Sequence, residues 1–260
     1  MRAAAQVARE GLAEVSLGGA IDETRRVARA AGVSLEAIEL LDPVDREAID
    51  RTEAALLAER GRRLEPQALA LAARDPLFQA AARVREGLAD CLVAGAVRTS
   101  AEVLRAALWL IGLAPGVARV SSFFLMVVPP QGGGPERALV FADCAVVPDP
   151  DAAQLAEIGV LAADRYARLT GGTPRVAFLS FSTRASAQHP HVDKVRAAAE
   201  RARELRPDLA IDGEIQADAA LDAGVAGRKT PGGILAGDAN VLIFPDLDAG
   251  NIGYKLVERL

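Results

Sequence analysis

Cysteine, histidine and long apolar runs are all scarce in this chain, and each shortage removes a class of protein. Two cysteines among 260 residues, Cys91 and Cys144, are too few for a disulfide framework. A reducing, cytoplasmic setting is the simplest expectation. The longest apolar stretches, such as LVAGAV and SSFFLMVVPP, are too short to span a bilayer, so no membrane partner is expected. Basic residues are outnumbered, 30 Lys and Arg against 35 Asp and Glu, for a net charge of -5. A nucleic-acid partner ordinarily needs a basic face and is not expected. An anionic small molecule needs only a few arginines in one cleft, and stays open. His189 and His191, the only histidines, sit in QHPHVD and suit a solvated or capping role. No GxSxG, CxxC, HExxH or Walker pattern occurs, and no metal is expected. The opening MRAAAQVAREGLAEV is expected to be an amphipathic helix carrying Arg2, Arg9 and Glu10, not a signal peptide.

What remains is ordinary globular composition, 51% hydrophobic and 25% charged, enough for one large domain or two modest ones. Helical and strand patterns alternate. AEVSL and AIELLD read as strands around the helix IDETRRVARAAG. Residues 44–86 read as helix broken near Arg60–Pro66 and Asp75–Pro76. DCLVAGAV reads as a buried strand, with Cys91 inside it. SAEVLRAALWLIG reads as a helix with Ser100 as N-cap. VARVSSFFLMVV and RALVFADCAV flank PPQGGGPE and read as a hairpin whose tip holds Gly132–Gly134. Helix and strand then alternate to the end: DAAQLAEIGVLAADRYARLTGG, RVAFLSFS, VDKVRAAAERARELRPD, LAIDGEI, DAALDAGVAG, NVLIFPD, AGNIGYKLVERL. That is the rhythm of a mostly parallel sheet with helices on both faces. A domain boundary is expected near Gly116, giving units 1–116 and 117–260. The chain starts and stops inside helices, so both ends are expected to be short.

The expected strand ends collect small polar residues. Ser180, Ser182, Thr183, Arg184 and Ser186 follow one strand. Asp212, Glu214, Gln216 and Asp218 lie at another. Arg228 and Lys229 sit in GRKTPGG, and Asp246, Asp248 and Asn251 in FPDLDAGN. Any one of these could be a capped turn. In series they suggest one crevice at the carboxyl edge of a sheet, where open α/β folds bind ligands. Asp212 and Glu214, two apart on a strand, need partners if buried. Loop support, or pairing with Arg228 or Lys229, fits better than acid–base work. Arg105 lies early in its helix and suits an anion. Cys144 is expected to be buried packing.

Three runs are specific in combination: SFSTRAS, DGEIQADAA and FPDLDAGNIGYK. With them the chain resembles phosphate acetyltransferase (phosphotransacetylase), of the phosphate acetyl/butyryl transferase family, over nearly all of residues 80–260 and more loosely before. The resemblance implies two three-layer α/β/α domains with mostly parallel sheets, isocitrate/isopropylmalate dehydrogenase-like, and a homodimer. It implies transfer of an acetyl group between acetyl phosphate and coenzyme A, with acetyl-CoA and phosphate as products. Coenzyme A is then a substrate, and no cofactor is implied. Carried over by position, it puts the anionic parts of coenzyme A at Arg105, Arg259 and Arg60. It puts the hydroxyl-rich loop at Ser182, Thr183, Arg184 and Ser186, and the cleft-facing turn at Asp246 and Asn251. The expected Ser-Arg pair and aspartate base lie beyond Leu260. Two alternatives stand beside this reading: a phosphate butyryltransferase, and a non-catalytic module that binds acetyl-CoA. Arg105→Ala is expected to weaken coenzyme A binding more than it disturbs folding. Unchanged affinity with an intact melting curve would sink that assignment.

Overall fold

The computed structural model of the chain describes residues 1–129 and 136–260, so the hairpin tip expected at Gly132–Gly134 lies outside the described residues. Two compact units divide it, Met1–Val117 and Ala118–Leu260.

In the first unit, α1 (Arg2–Arg9), β1 (Val15–Gly18), α2 (Ile21–Ala30) and β2 (Ile38–Leu41) lead into four helices. These are α3 (Arg46–Arg60), α4 (Pro66–Ala73), α5 (Pro76–Arg85) and α6 (Ser100–Leu110). The strands β1 and β2 pair in parallel, Val15 opposite Ile38. The helices start where side-chain chemistry starts them. Asp45 accepts from the Ala48 N–H at 3.1 Å, and Asp75 from Leu77 at 2.9 Å, with Pro76 as first helical residue. Their apolar stripes meet in one core that includes Leu56, Leu77, Phe78, Ala81, Ala106 and Leu110.

Three expectations change here. The cap of α6 is Thr99, not Ser100. Thr99 lies three residues before Glu102 and forms a reciprocal capping box with it, which Ser100 cannot do. DCLVAGAV is not a buried strand: its backbone joins no sheet among the described residues, and Val93 and Val97 are 93% and 95% exposed. Cys91 is exposed with it. An apolar run reports hydrophobicity, but a strand also needs a neighbour to take its N–H and C=O groups.

The second unit holds a five-stranded sheet. Its strands are β3 (Phe124–Val128), β4 (Arg137–Ala142), β5 (Arg175–Leu179), β6 (Ala210–Ile215) and β7 (Val241–Ile243). The order is β3-β4-β7-β5-β6. Only the β3–β4 hairpin is antiparallel; β4–β7, β7–β5 and β5–β6 are parallel. The central strands are buried on both faces, hence continuous apolar strings such as VAFL and VLI. On one face lie α7 (Ala152–Thr170) and α8 (Pro190–Leu205), packed on Val140, Val176, Phe178, Ile211 and Val241. On the other lie α9 (Ala217–Leu221), α10 (Ala223–Lys229) and α11 (Leu247–Arg259), over Leu139, Phe141, Ala177, Leu179 and Leu242. The mixed α/β class with mostly parallel sheets is as expected.

Local chemistry sets these helices too. Asp151 and Gln154 box the start of α7, and Gly171 closes it in the left-handed region at φ 70°. His189 caps α8, its Nδ1 accepting from the His191 N–H at 3.2 Å, as the sequence implied. The single helix expected over DAALDAGVAG is two. Asp222 leaves helical geometry to cap α10, accepting from Val225 N–H at 2.7 Å.

Gly159, inside α7, faces Phe178 so closely that a Cβ would land on the ring. Gly→Ala within a helix ordinarily gains about 1 kcal/mol. Gly159→Ala is instead expected to lose about 1–3 kcal/mol through overpacking. A lowered urea midpoint checks this; an unchanged or raised one would mean that α7 can lift off the sheet at no cost.

Candidate active site

Four parallel strands of the second unit end on one edge. After β4 and β5 the chain turns to one face, and after β7 and β6 to the other. Since β7 lies between β4 and β5, neighbouring strands send their loops apart. That divergence leaves room at the carboxyl edge for a ligand. The loops there are 143–147, 180–187, 216–218 and 244–246; the last three fall in stretches the sequence marked as polar, 143–147 was not marked, and the expected Arg228 and Lys229 lie instead at the end of α10.

The loop after β5 is wound tightly. Arg184 and Ala185 both hold positive φ, 49° and 62°. For residues with a Cβ this costs about 1–2 kcal/mol each, so something must hold them. Hydrogen bonds do. The N–H of Ser182 donates to Ser180 Oγ, that of Thr183 to Ser186 Oγ, and that of Ala187 to Ser182 Oγ. The Ala185 N–H donates to Glu214 Oε1 at 2.8 Å, that of Ser186 to the Thr183 carbonyl at 3.1 Å, and that of Arg184 to the Glu214 carbonyl at 3.5 Å. Every backbone donor from 182 to 187 is therefore engaged within the protein. The loop cannot cradle an anion with its amides; it presents side chains.

Glu214 anchors it. The carboxylate is 4% exposed and also accepts from Ser182 Oγ and from Arg196 Nε, each at 2.8 Å. Burial alone would raise its pKa. The Arg196 guanidinium, the Ser182 hydroxyl and the Ala185 N–H outweigh burial and hold it below the usual carboxylate value. Its contribution to stability is thus complete above the ordinary carboxyl value and is lost as pH falls through the lowered one. The partners expected for these acids, Arg228 and Lys229, are replaced by others. Glu214 pairs with Arg196, and Asp212 stands 3.5 Å from Arg184. Lys229 closes α10 beside the start of α9, so Gln216 and Asp218 take its ammonium at 2.8 and 2.7 Å.

The turn after β7 serves α11. Asp246 caps it, accepting from Ala249 N–H at 2.9 Å, and Asn251 Nδ2 donates to the Cys144 carbonyl at 3.1 Å. Gly250 packs on the backbone of Asp143 and Cys144, where a side chain would collide. Asp143, 3% exposed, gathers the Ser122 hydroxyl and the N–H groups of Ala145, Val146 and Val147. Cys144 is buried as expected. Burial first, and then the Asp143 charge, push its thiol up to about 12.

The model of the family described as "Phosphate acetyl/butaryl transferase" matches residues 1–260. The chain belongs to that family. A phosphate acetyltransferase of Thermoanaerobacterium thermosaccharolyticum is 47% identical over 263 residues, covering 100% of this chain and 79% of that protein. One of Clostridium acetobutylicum is 44% identical over 260 residues, covering 99% of this chain and 78% of that protein. Among solved structures, a phosphotransacetylase from Streptococcus pyogenes is similar with a TM-score of 0.88 and 38% identity, over 99% of this chain and 77% of that one. The resemblance carried by SFSTRAS, DGEIQADAA and FPDLDAGNIGYK holds.

For a phosphate acetyl/butaryl transferase, the residues expected at substrate fall into three groups. Thr183, Arg184 and Ser186 share the loop after β5; the Arg184 side chain is 48% exposed, whereas Thr183 is buried, its Oγ1 accepting from the Gln216 N–H at 3.0 Å. Ser182 is fully buried; its hydroxyl donates to Glu214 and accepts from Ala187, so it supports the loop from below. Asp246 and Asn251 stand at the start of α11. Arg259 is the last residue of that helix and is exposed. Arg105 and Arg60 belong to the first unit. Arg105 is exposed in the second turn of α6, not at its start. Arg60 ends α3 with its guanidinium 5.4 Å above the Trp109 ring. Arg196 went unmarked in the sequence. Asp193 and Glu200, three before and four after it, give it the look of a solvated helix charge, and its partner Glu214 is 18 residues away.

The two thiols differ sharply. At pH 8 a thiol near 12 is ionised in only about one molecule in ten thousand. Alkylation of the native protein by iodoacetamide is expected to label Cys91 and spare Cys144, with both labelled after denaturation. Native labelling of Cys144, read by peptide mass, would show that the end of β4 opens readily.

Proposed function

We propose that the protein is a phosphate acetyltransferase, moving an acetyl group reversibly between acetyl phosphate and coenzyme A. The observation that carries this is the chain-long match to relatives named phosphate acetyltransferase. In the forward direction the coenzyme A thiolate attacks the acetyl carbonyl carbon. A C–S bond forms, the C–O bond to phosphate breaks, and phosphate leaves with the electron pair. The demands are a base for the thiol, cations for the phosphate and donors for the carbonyl oxyanion. Arg184, held out from a rigid loop, is the cation we assign to the phosphate, with the exposed Ser186 beside it and the buried Thr183 supporting the loop through Gln216. Arg105, Arg60 and Arg259 are assigned to the anionic parts of coenzyme A. Asp246 and Asn251 shape the turn after β7, the strand beside β5. Coenzyme A is a substrate, and the chemistry assigns no step to a metal or cofactor.

We further propose a homodimer working in the cytoplasm. Both cysteines are unpaired, which suits a reducing compartment. Among the described residues no helix is long and apolar enough to cross a membrane.

The test is thioester formation from acyl phosphate and coenzyme A. Acetyl phosphate is expected to exceed butyryl phosphate by about tenfold or more in kcat/KM, since two methylenes are worth several kcal/mol in a fitted pocket. A preference for butyryl phosphate would move the protein to the other branch of its family. Acetyl-CoA binding without turnover would make it a binding module.

A further inference from the structure

The acyl transfer leaves Glu214 without a part, although this carboxylate of β6 accepts two hydrogen bonds from the loop after β5. At 4% exposure it cannot meet substrate directly. We propose that Glu214 is a positioning residue: it fixes the 182–187 loop so that the Arg184 guanidinium, only loosely paired with Asp212, is presented to the phosphate group of the substrate. This deepens the assignment of Arg184 made above and rests on it.

Glu214 Oε1 takes both the Ser182 hydroxyl and the Ala185 N–H, which bracket Thr183 and Arg184. These two bonds fall on either side of Arg184, whose positive φ turns its side chain away from the direction an extended backbone would give. Arg196 Nε, from α8, holds Oε2 and so keeps the carboxylate from rotating. Arg184 also has a competitor. Asp212 Oδ2 lies 3.5 Å from its Nη2, the outer limit of a hydrogen bond. Gly233 lies close as well: a Cβ there would come within 3.0 Å of the same Nη2 and 3.3 Å of Asp212 Oδ2. Arg184 and Asp212 thus form a long ion pair at 3.5 Å. Releasing the loop from Glu214 lets that pair shorten, and a guanidinium held tightly by Asp212 is a poorer ligand for phosphate. A carboxylate that only stabilised the fold would not produce this selective loss.

The experiment is a double-mutant cycle on the full chain, read by calorimetric titration with inorganic phosphate and, separately, with coenzyme A. Neither titration needs turnover. Glu214→Ala is expected to weaken phosphate binding about tenfold and coenzyme A binding by no more than about twofold. Glu214→Gln, which keeps an oxygen for Ser182 and Ala185, is expected to recover most of the loss. In the Arg184→Ala background, Glu214→Ala is expected to add nothing. Additive losses, equal losses for both ligands, or unchanged phosphate affinity would overturn the proposal, as would a wild-type chain that does not bind phosphate. If Glu214→Ala does not fold, Ser182→Ala removes one of the two loop bonds and carries the same cycle, with a loss of a few-fold expected. A wild type that binds phosphate through this cycle but forms no thioester would refute the assigned activity and leave the role of Glu214 standing.

Discussion

A carboxylate withdrawn from water has to be met by donors, and Glu214 is met by three, from a hydroxyl, a backbone amide and a guanidinium. The shape of the carboxyl edge follows from that requirement. Two non-glycine residues in the left-handed region would relax if left alone. They stay because the Ala185 N–H and the Ser182 hydroxyl are both held by Glu214. The Glu214 side chain therefore ties Ser182 and Ala185 to β6, and hydrogen bonds within the loop complete its winding around Arg184. The doubly wound order of the sheet adds the other half of the arrangement. With β7 between β4 and β5, successive loops part and the edge stays open.

Much of this was legible in the amino-acid sequence because it rests on local chemistry. The capping role open to the histidines of QHPHVD is filled by His189, which accepts from an N–H only two residues on. The buried strands VAFL and VLI announce themselves as unbroken apolar strings. The loop after β5 was visible as a cluster of hydroxyls around Arg184. What the sequence hid depends on partners far away in the chain. Arg196 looks like any helix charge until β6 is laid beside it. Asp143 looks like a turn residue until Ser122, 21 residues earlier, is seen donating to it. Ser182 and Ser186 read alike in STRAS, yet the fold buries one and exposes the other. The misread strand DCLVAGAV belongs to the same class of error. Its apolarity is local, but strand pairing is not, and Thr99 shows the small version, where one residue decides which hydroxyl meets Glu102.

The family match adds what geometry alone does not, the chemistry of a mixed anhydride and a thiol. The geometry in turn constrains how the family's loop can work here. A glycine-rich phosphate loop offers backbone N–H groups to its ligand. The loop after β5 offers none; what it exposes to solvent is a guanidinium and a hydroxyl, which differ from amides in reach and charge. Asp212 tempers that charge from 3.5 Å away.

A surface loop usually loses conformational freedom when it closes on a ligand, and that loss subtracts from affinity. The stretch from Ser182 to Ala187 has little freedom left to lose. Its amides found their acceptors when the chain folded, so the ordering cost was met then, by the stability of the whole unit. Binding at this edge can accordingly proceed without a closing motion, and the free and occupied loops should be nearly the same shape.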